Sequence, residues 1–113
     1  MTRRELKKLL WDAADAAGAV SEAVANHTLA DYVADRHLRG TVERHLEIVG
    51  EALRQAAQEK PMLYQRITGL HEIISLRHRL AHAYADTNDG MVWDIVQNDL
   101  PLLRRELDAL LAG

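Results

Sequence analysis

The chain has 113 residues, 48% of them hydrophobic and 27% charged, with a formal net charge of -3. That length suits one domain, residues 1–113, built around a single core, and no apolar run approaches the roughly 18 residues that a membrane span requires. Cysteine is absent, which excludes disulfides, and the acidic balance excludes a protein that clings to nucleic acid by bulk positive charge, so any RNA contact has to be local.

The N-terminal run from Met1 to Trp11 leads into an amphipathic pattern with no apolar signal core, which fits a cytoplasmic protein. Phenylalanine is missing, proline is limited to Pro61 and Pro101, and alanine and leucine dominate, so an all-α fold is expected. From Leu6, apolar positions fall at Leu10, Ala13, Ala17, Val20 and Val24, which keeps one helical face apolar for about five turns. The first helix therefore runs through Gly18, whose cost of ~1 kcal/mol against Ala is outweighed by the pattern on both sides. Asn26 stops it. Thr28 followed by Asp31 reads as an N-cap with an acid in the first turn, opening a short helix from Leu29 to Val33.

Asp35 caps a second long helix over about 36–59, with Leu38, Val42, Leu46, Val49, Leu53 and Ala56 on one stripe that Ile48 and Ala52 widen. Gly50 sits inside this helix, where the missing side chain lets a neighbouring helix or subunit approach closely. Lys60-Pro61 ends it, because proline cannot continue the hydrogen-bond ladder. After a short segment at 62–68, a third helix is expected from about Gly69 to Tyr84, with Ile73, Leu76, Leu80 and Ala83 facing the core. The polar stretch 86–90 makes a turn, Asn88 or Asp89 caps a last helix carrying Val92, Ile95 and Val96, and Pro101 predicts a kink or restart before Leu103, Leu107 and Leu110. Four long helices plus short helical segments make an up-and-down bundle. The tryptophans, Trp11 and Trp93, are expected in core or interface packing rather than on a base.

Basic residues cluster at Arg36, His37, Arg39, Arg44 and His45, and again at Arg77, His78, Arg79 and His82. Three of the six histidines, His71, His78 and His82, lie in the third helix and fall within about 40° of one another on an ideal helix. Arg77 and His82 are about 140° apart on the same construction. Either the helix distorts there, or a second copy completes the site across a two-fold axis. The chemistry that suits these side chains is metal-independent RNA cleavage by the substrate's own 2′-hydroxyl. Histidine titrates near neutrality and moves the proton, while arginine stabilises charge on the phosphate oxygens. His78 and His82 also have the i,i+4 spacing of helical metal ligands, but the Glu of the zinc-protease pattern is replaced by Arg79, and no metal or other cofactor is expected. His71 reads as a helix-face or interface residue, and His27, His37 and His45 read as surface residues.

The segment Arg77-x4-His82-x-Tyr84 resembles the signature of the HepT-like toxins of the HEPN superfamily. Leu46-Glu-Ile-Val-Gly-Glu-Ala52, Ile73-Ile-Ser-Leu-Arg-His78 and Val92-Trp-Asp-Ile-Val96 followed by Asp99-Leu-Pro101 are similar in order and spacing. The likeness runs from about residue 28 to the C-terminus, and the first helix shares only length and amphipathicity. The resemblance implies a helical bundle that forms a homodimer through the motif region, and a metal-independent endoribonuclease that acts as the toxin of a toxin–antitoxin system. By position it makes Arg77 and His82 the catalytic pair, with His78, where the family more often has Asn, a supporting polar residue. It also implies a minimal nucleotidyltransferase antitoxin that silences the toxin by transferring AMP to Tyr84. A reading from another class makes the chain a non-catalytic helical partner that binds a substrate or nucleotide for such a nucleotidyltransferase.

Overall fold

Side-chain caps open α1, α2, α3 and α6 and set much of the path of the chain. The computed structural model describes residues 1–81 and 88–113. Helix α1 spans Arg3–Val24, and the Thr2 hydroxyl accepts the Glu5 N–H at 3.1 Å to close its first turn. Asn26 takes φ 66°, the left-handed conformation that asparagine adopts more readily than most residues, and the helix stops there as expected. Helix α2, Leu29–Ala34, opens with a reciprocal capping box. The Thr28 hydroxyl accepts the Asp31 N–H at 3.1 Å, and the Asp31 carboxylate accepts the Thr28 N–H at 2.9 Å. Asp35 then accepts the N–H groups of His37 and Leu38 at 2.9 and 3.1 Å and starts α3, Arg36–Glu59.

Beyond Pro61, where periodicity is too short to read, the chain forms a single turn, α4, over Leu63–Arg66. Leu63, Ile67 and Leu70 are all buried there, apolar anchors that the stripe pattern does not identify. Gly69 adopts φ 70°, a conformation that side chains disfavour, so α5 begins one residue later than expected, at Leu70, and is described to Ala81. The Glu106 carboxylate fixes this corner by accepting the Thr68 N–H at 3.0 Å and its hydroxyl at 2.9 Å. Asn88 accepts the Met91 N–H at 3.0 Å and caps α6, Asp89–Asp94. A π-helical turn, Ile95–Asp99, joins it to α7, Leu100–Ala112. The restart predicted at Pro101 is this widened turn: proline has no N–H, and its ring would strike the carbonyl four residues back in an uninterrupted α-helix.

Helix α3 is the centre of the all-α bundle, packed on α1 and α5, while α7 covers α1 and α6 lies on α2. All six expected stripe positions of α3 are buried, as are Leu10, Ala13, Ala17, Val20 and Val24 of α1. Leu76 and Leu80 of α5 are buried and Ile73 is partly so; Ala83 lies outside the described residues. No helix among the described residues is long and apolar enough to cross a membrane. Trp93 packs as expected, its ring 5.5 Å from that of buried Tyr32. Trp11 is not in the core: it is 56% exposed, because the stripe that buries Leu10 and Ala13 turns the position after Leu10 outward.

The Tyr32 hydroxyl is buried and has no hydrogen-bond partner among the described residues. Burial raises its pKa, and the nearby carboxylates of Glu43 and Asp89 add to the effect. Glu43 is itself raised, mainly by burial and then by Asp89, with Arg39 opposing. A carboxyl whose folded pKa lies above its unfolded value costs stability when ionised, and that cost vanishes below the unfolded value. Glu43→Gln is therefore expected to raise Tm at pH 7 and to leave it unchanged near pH 3.5, below the 4.5 reference value of the carboxyl. Thermal melts of both proteins at the two pH values check this.

Candidate active site

Arg77 reaches its position because α5 crosses α3 at a residue without a side chain. A Cβ placed on Gly50 would lie 2.1 Å from Arg77 Cβ, 2.7 Å from its Cγ and 3.3 Å from the Ile73 carbonyl oxygen. The aliphatic stem of the arginine thus rests directly on the α3 backbone. The close approach expected at Gly50 is made by this helix of the same chain.

The next residue of α3 holds the other end of the arginine. Glu51 Oε2 lies 3.4 Å from Arg77 Nη2, while Glu51 Oε1 accepts Arg54 Nε–H at 2.7 Å. The hydrogen bond from Arg54 is the main reason the Glu51 carboxyl stays below its usual pKa, with Arg77 assisting, so the carboxylate is ionised at neutral pH. Arg77 remains 28% exposed, enough for its guanidinium to meet a ligand.

That guanidinium opens onto a groove of about 430 Å³ between α1, α3 and α5. Leu9, Ala16, Ile48 and Ala52 form its apolar part; Asp12, Asp15, Arg44, His45, Glu47 and Glu51 supply the charge. His45 is half-buried, and its Nδ1 donates to the Thr41 carbonyl oxygen at 2.7 Å. A carbonyl only accepts, so Nδ1 carries a proton and Nε2 of the neutral ring is left as an acceptor. Sequence reasoning assigns His45 to the surface and passes over Glu51. The available signal is Gly50: whatever crosses a helix at a buried glycine also meets the residues beside it.

The remaining expected site residues divide plainly. His78 is exposed on α5, and Arg79 Nη2 lies 3.4 Å from the Met91 sulfur. His82 and Tyr84 lie outside the described residues, so the structure brings Arg77 to a groove without placing its expected partner. His71 stacks on Tyr64 with ring centroids 4.3 Å apart, as a helix-face residue would. His27 and His37 are exposed, with His27 Nδ1 3.8 Å from Asp31. Among the described residues no group of three His, Cys, Asp or Glu side chains could hold a metal ion.

The profile of the Ribonuclease HepT-like family matches residues 13–110. The chain belongs to that family. The match begins within α1, well before residue 28, so the family likeness includes the helix that walls the Arg77 groove. Among similar proteins, one from Methanocaldococcus jannaschii, named "Putative RNase MJ1380", is 28% identical over 108 residues, covering 96% of this chain and 98% of its own length. "Probable ribonuclease HepT" of Thermococcus cleftensis is 29% identical over 108 residues, 96% of this chain and 97% of that protein. "Putative RNase TTE0752" of Caldanaerobacter subterraneus is 28% identical over 90 residues, 80% of each chain. No solved structure matches the chain.

Glycines of α3 test the crossing directly. Gly50→Ala forces its methyl group into the Arg77 stem and is expected to destabilise the fold by about 1–3 kcal/mol. On the same helix, a methyl group added at Gly40 would meet nothing within 4 Å, so Gly40→Ala is expected to stabilise by about 0.5–1 kcal/mol. Urea unfolding of the two variants beside the unaltered protein measures both.

Proposed function

We propose that this protein is an endoribonuclease that cleaves RNA without a metal ion, with Arg77 and His82 as the catalytic pair. The observation that carries the reading is the seating of Arg77. A partly exposed guanidinium, fixed by Gly50 beneath its stem and Glu51 at its head, is pre-oriented toward an open groove. The names of the related proteins, RNase or ribonuclease in each case, support the same activity.

In this reading the 2′-oxygen of the substrate attacks the adjacent phosphorus. A new P–O2′ bond forms and the P–O5′ bond breaks, leaving a 2′,3′-cyclic phosphate and a 5′-hydroxyl. His82 takes the 2′-OH proton as a neutral base or, as imidazolium, protonates the departing O5′. Arg77 stabilises the charge on the non-bridging oxygens as phosphorus becomes five-coordinate, and its planar fork suits two of them at once. His78 supports the site as a polar neighbour on α5. Arg77 and His82 point about 140° apart on a regular helix; unless the helix distorts at that point, the reading places the site at a homodimer interface, where a second copy of the chain completes it.

The biological role proposed is that of a toxin held in check by a minimal nucleotidyltransferase antitoxin, which transfers AMP to Tyr84. An attached nucleotide two residues from His82 brings a phosphate and a base to the cleft and competes with RNA for Arg77. Purified protein free of antitoxin is expected to cleave RNA in the presence of EDTA, and Arg77→Ala or His82→Ala to lower the rate by at least about 100-fold, the usual scale for one acid–base or electrostatic group. Wild-type rates in both variants would overturn the catalytic assignment. Co-expression with a nucleotidyltransferase antitoxin is expected to add AMP to Tyr84, read by peptide mass spectrometry, and Tyr84→Phe to remain toxic in the antitoxin's presence. A Tyr84→Phe protein that is silenced as fully as the unaltered one would overturn the AMP assignment.

A further inference from the structure

Six of the 14 lysines and arginines gather at one end of the bundle: Arg3, Arg4, Lys7 and Lys8 from the first turns of α1, Lys60 after α3, and Arg66 of α4. Lys8 is paired, with its ammonium 3.0 and 3.1 Å from the two Asp12 oxygens. The other five have no carboxylate partner within ion-pair distance among the described residues. The nearby Glu59 is turned to the N-terminal ammonium at 3.8 Å. A chain of net charge -3 thus carries a concentrated island of unneutralised positive charge.

The island has shape as well as sign. Arg3 and Lys7 form a ridge between two hollows. On one side is a hollow of about 510 Å³ lined by Lys60 and Arg66 together with leucines, Met62 and the C-terminal Gly113, and by no acidic side chain. On the other side Arg3, Arg4, Lys7 and Lys8 surround the ring of Trp11, the tryptophan that is 56% exposed. An open indole ringed by cations offers two things together: ammonium and guanidinium groups for phosphates, and a flat π-face for a base.

We infer that this basic end of the bundle, centred on Arg3, Lys7, Arg66 and Trp11, is a binding site for single-stranded RNA, separate from the Arg77 groove. The inference rests on the ribonuclease reading for the identity of its ligand. Unpaired cations favour a polyanion, and the exposed indole favours one that carries planar bases. A membrane surface fits less well, because the apolar stripe of α1 is spent on the core and Trp11 stands alone on the outer face. Gly50, which marks the Arg77 crossing, and Lys60 are ten residues apart on or just past α3, or about 15 Å along its axis. In this reading the basic end holds the strand while the groove acts on it.

The test separates binding from cleavage. In an Arg77→Ala background, fluorescent single-stranded RNA of about 20 nucleotides is titrated at several salt concentrations. Further substitutions are Trp11→Ala, the triple Arg3→Gln, Lys7→Gln and Arg66→Gln, and the control Arg105→Gln at an exposed arginine on α7 that lines neither hollow. Trp11→Ala is expected to weaken binding about 5- to 100-fold, the range for loss of one base–aromatic stack. The triple variant is expected to weaken it at least tenfold and to flatten the dependence of log Kd on log salt by about 0.7 per lost phosphate contact. The control should bind within twofold of its parent, and circular dichroism melts verify that all variants are folded. Unchanged affinity and salt slope in folded variants overturn the inference, as does a loss confined to vesicles of anionic lipid or to an acidic protein while RNA binding persists. Because the readout is binding by a protein already lacking Arg77, a failure of the proposed cleavage chemistry leaves a distinct result: RNA held at the basic end and never cut by the unaltered chain.

Discussion

The contact between Gly50 and Arg77 is the constraint on which the rest of this molecule turns. Helix α3 can be the centre of the bundle only if its neighbours come close on both sides, and on the α5 side the closest approach is at a position where even a methyl group would collide. The stem of a charged residue fills that place, so its methylenes serve the helix crossing while its guanidinium is directed to the groove. Packing and chemistry are thereby the same interaction. Glu51, the next residue, converts a close contact into a defined direction by opposing Arg77 and Arg54 at once.

Charge is spread unevenly over this acidic chain. Several of its cations sit beside carboxylates on helix surfaces, as Lys8 does with Asp12 and Arg44 with Glu47, and such exposed pairs add little stability. Arg77 is different because its carboxylate partner is shared with Arg54, so Glu51 offsets it only in part, in a groove that also carries Asp12, Asp15 and Glu47 beside Arg44. Overall charge is then a poor guide to what the surface binds, and the distribution among helix ends and crossings is the better one.

Local signals in the sequence carry most of the fold. Thr28 with Asp31, Asp35, Asn26, Asn88 and Pro61 act over a few residues, and their effects on helix boundaries are visible without knowing any neighbour. The apolar stripes of α1 and α3 likewise report which face is buried. What stays hidden depends on distant partners: that Gly50 meets Arg77, 27 positions further on, that Glu51 tethers it, and that His45 enters the same groove. Trp11 misleads in a different way. Residue type suggests burial, yet the stripe of α1 already assigns it to the outer face. Of the motif itself, Arg77 and His78 are placed, whereas the roles of His82 and Tyr84 rest on the family pattern.

The π turn at Ile95–Asp99 has an effect on geometry well beyond its five residues. It contains one residue more than an α-helical turn needs, and each α-helical residue corresponds to about 100° of rotation, so everything after the turn is re-phased by roughly that angle. The C-terminal segment is therefore two helices whose faces are set at different azimuths. The first brings Trp93 against Tyr32 of α2 and buries Val92, and the second packs on α1 with Leu103 and Leu107 buried. One extra residue in the right place does the work of a loop, giving two docking directions to a segment that never leaves the helical state.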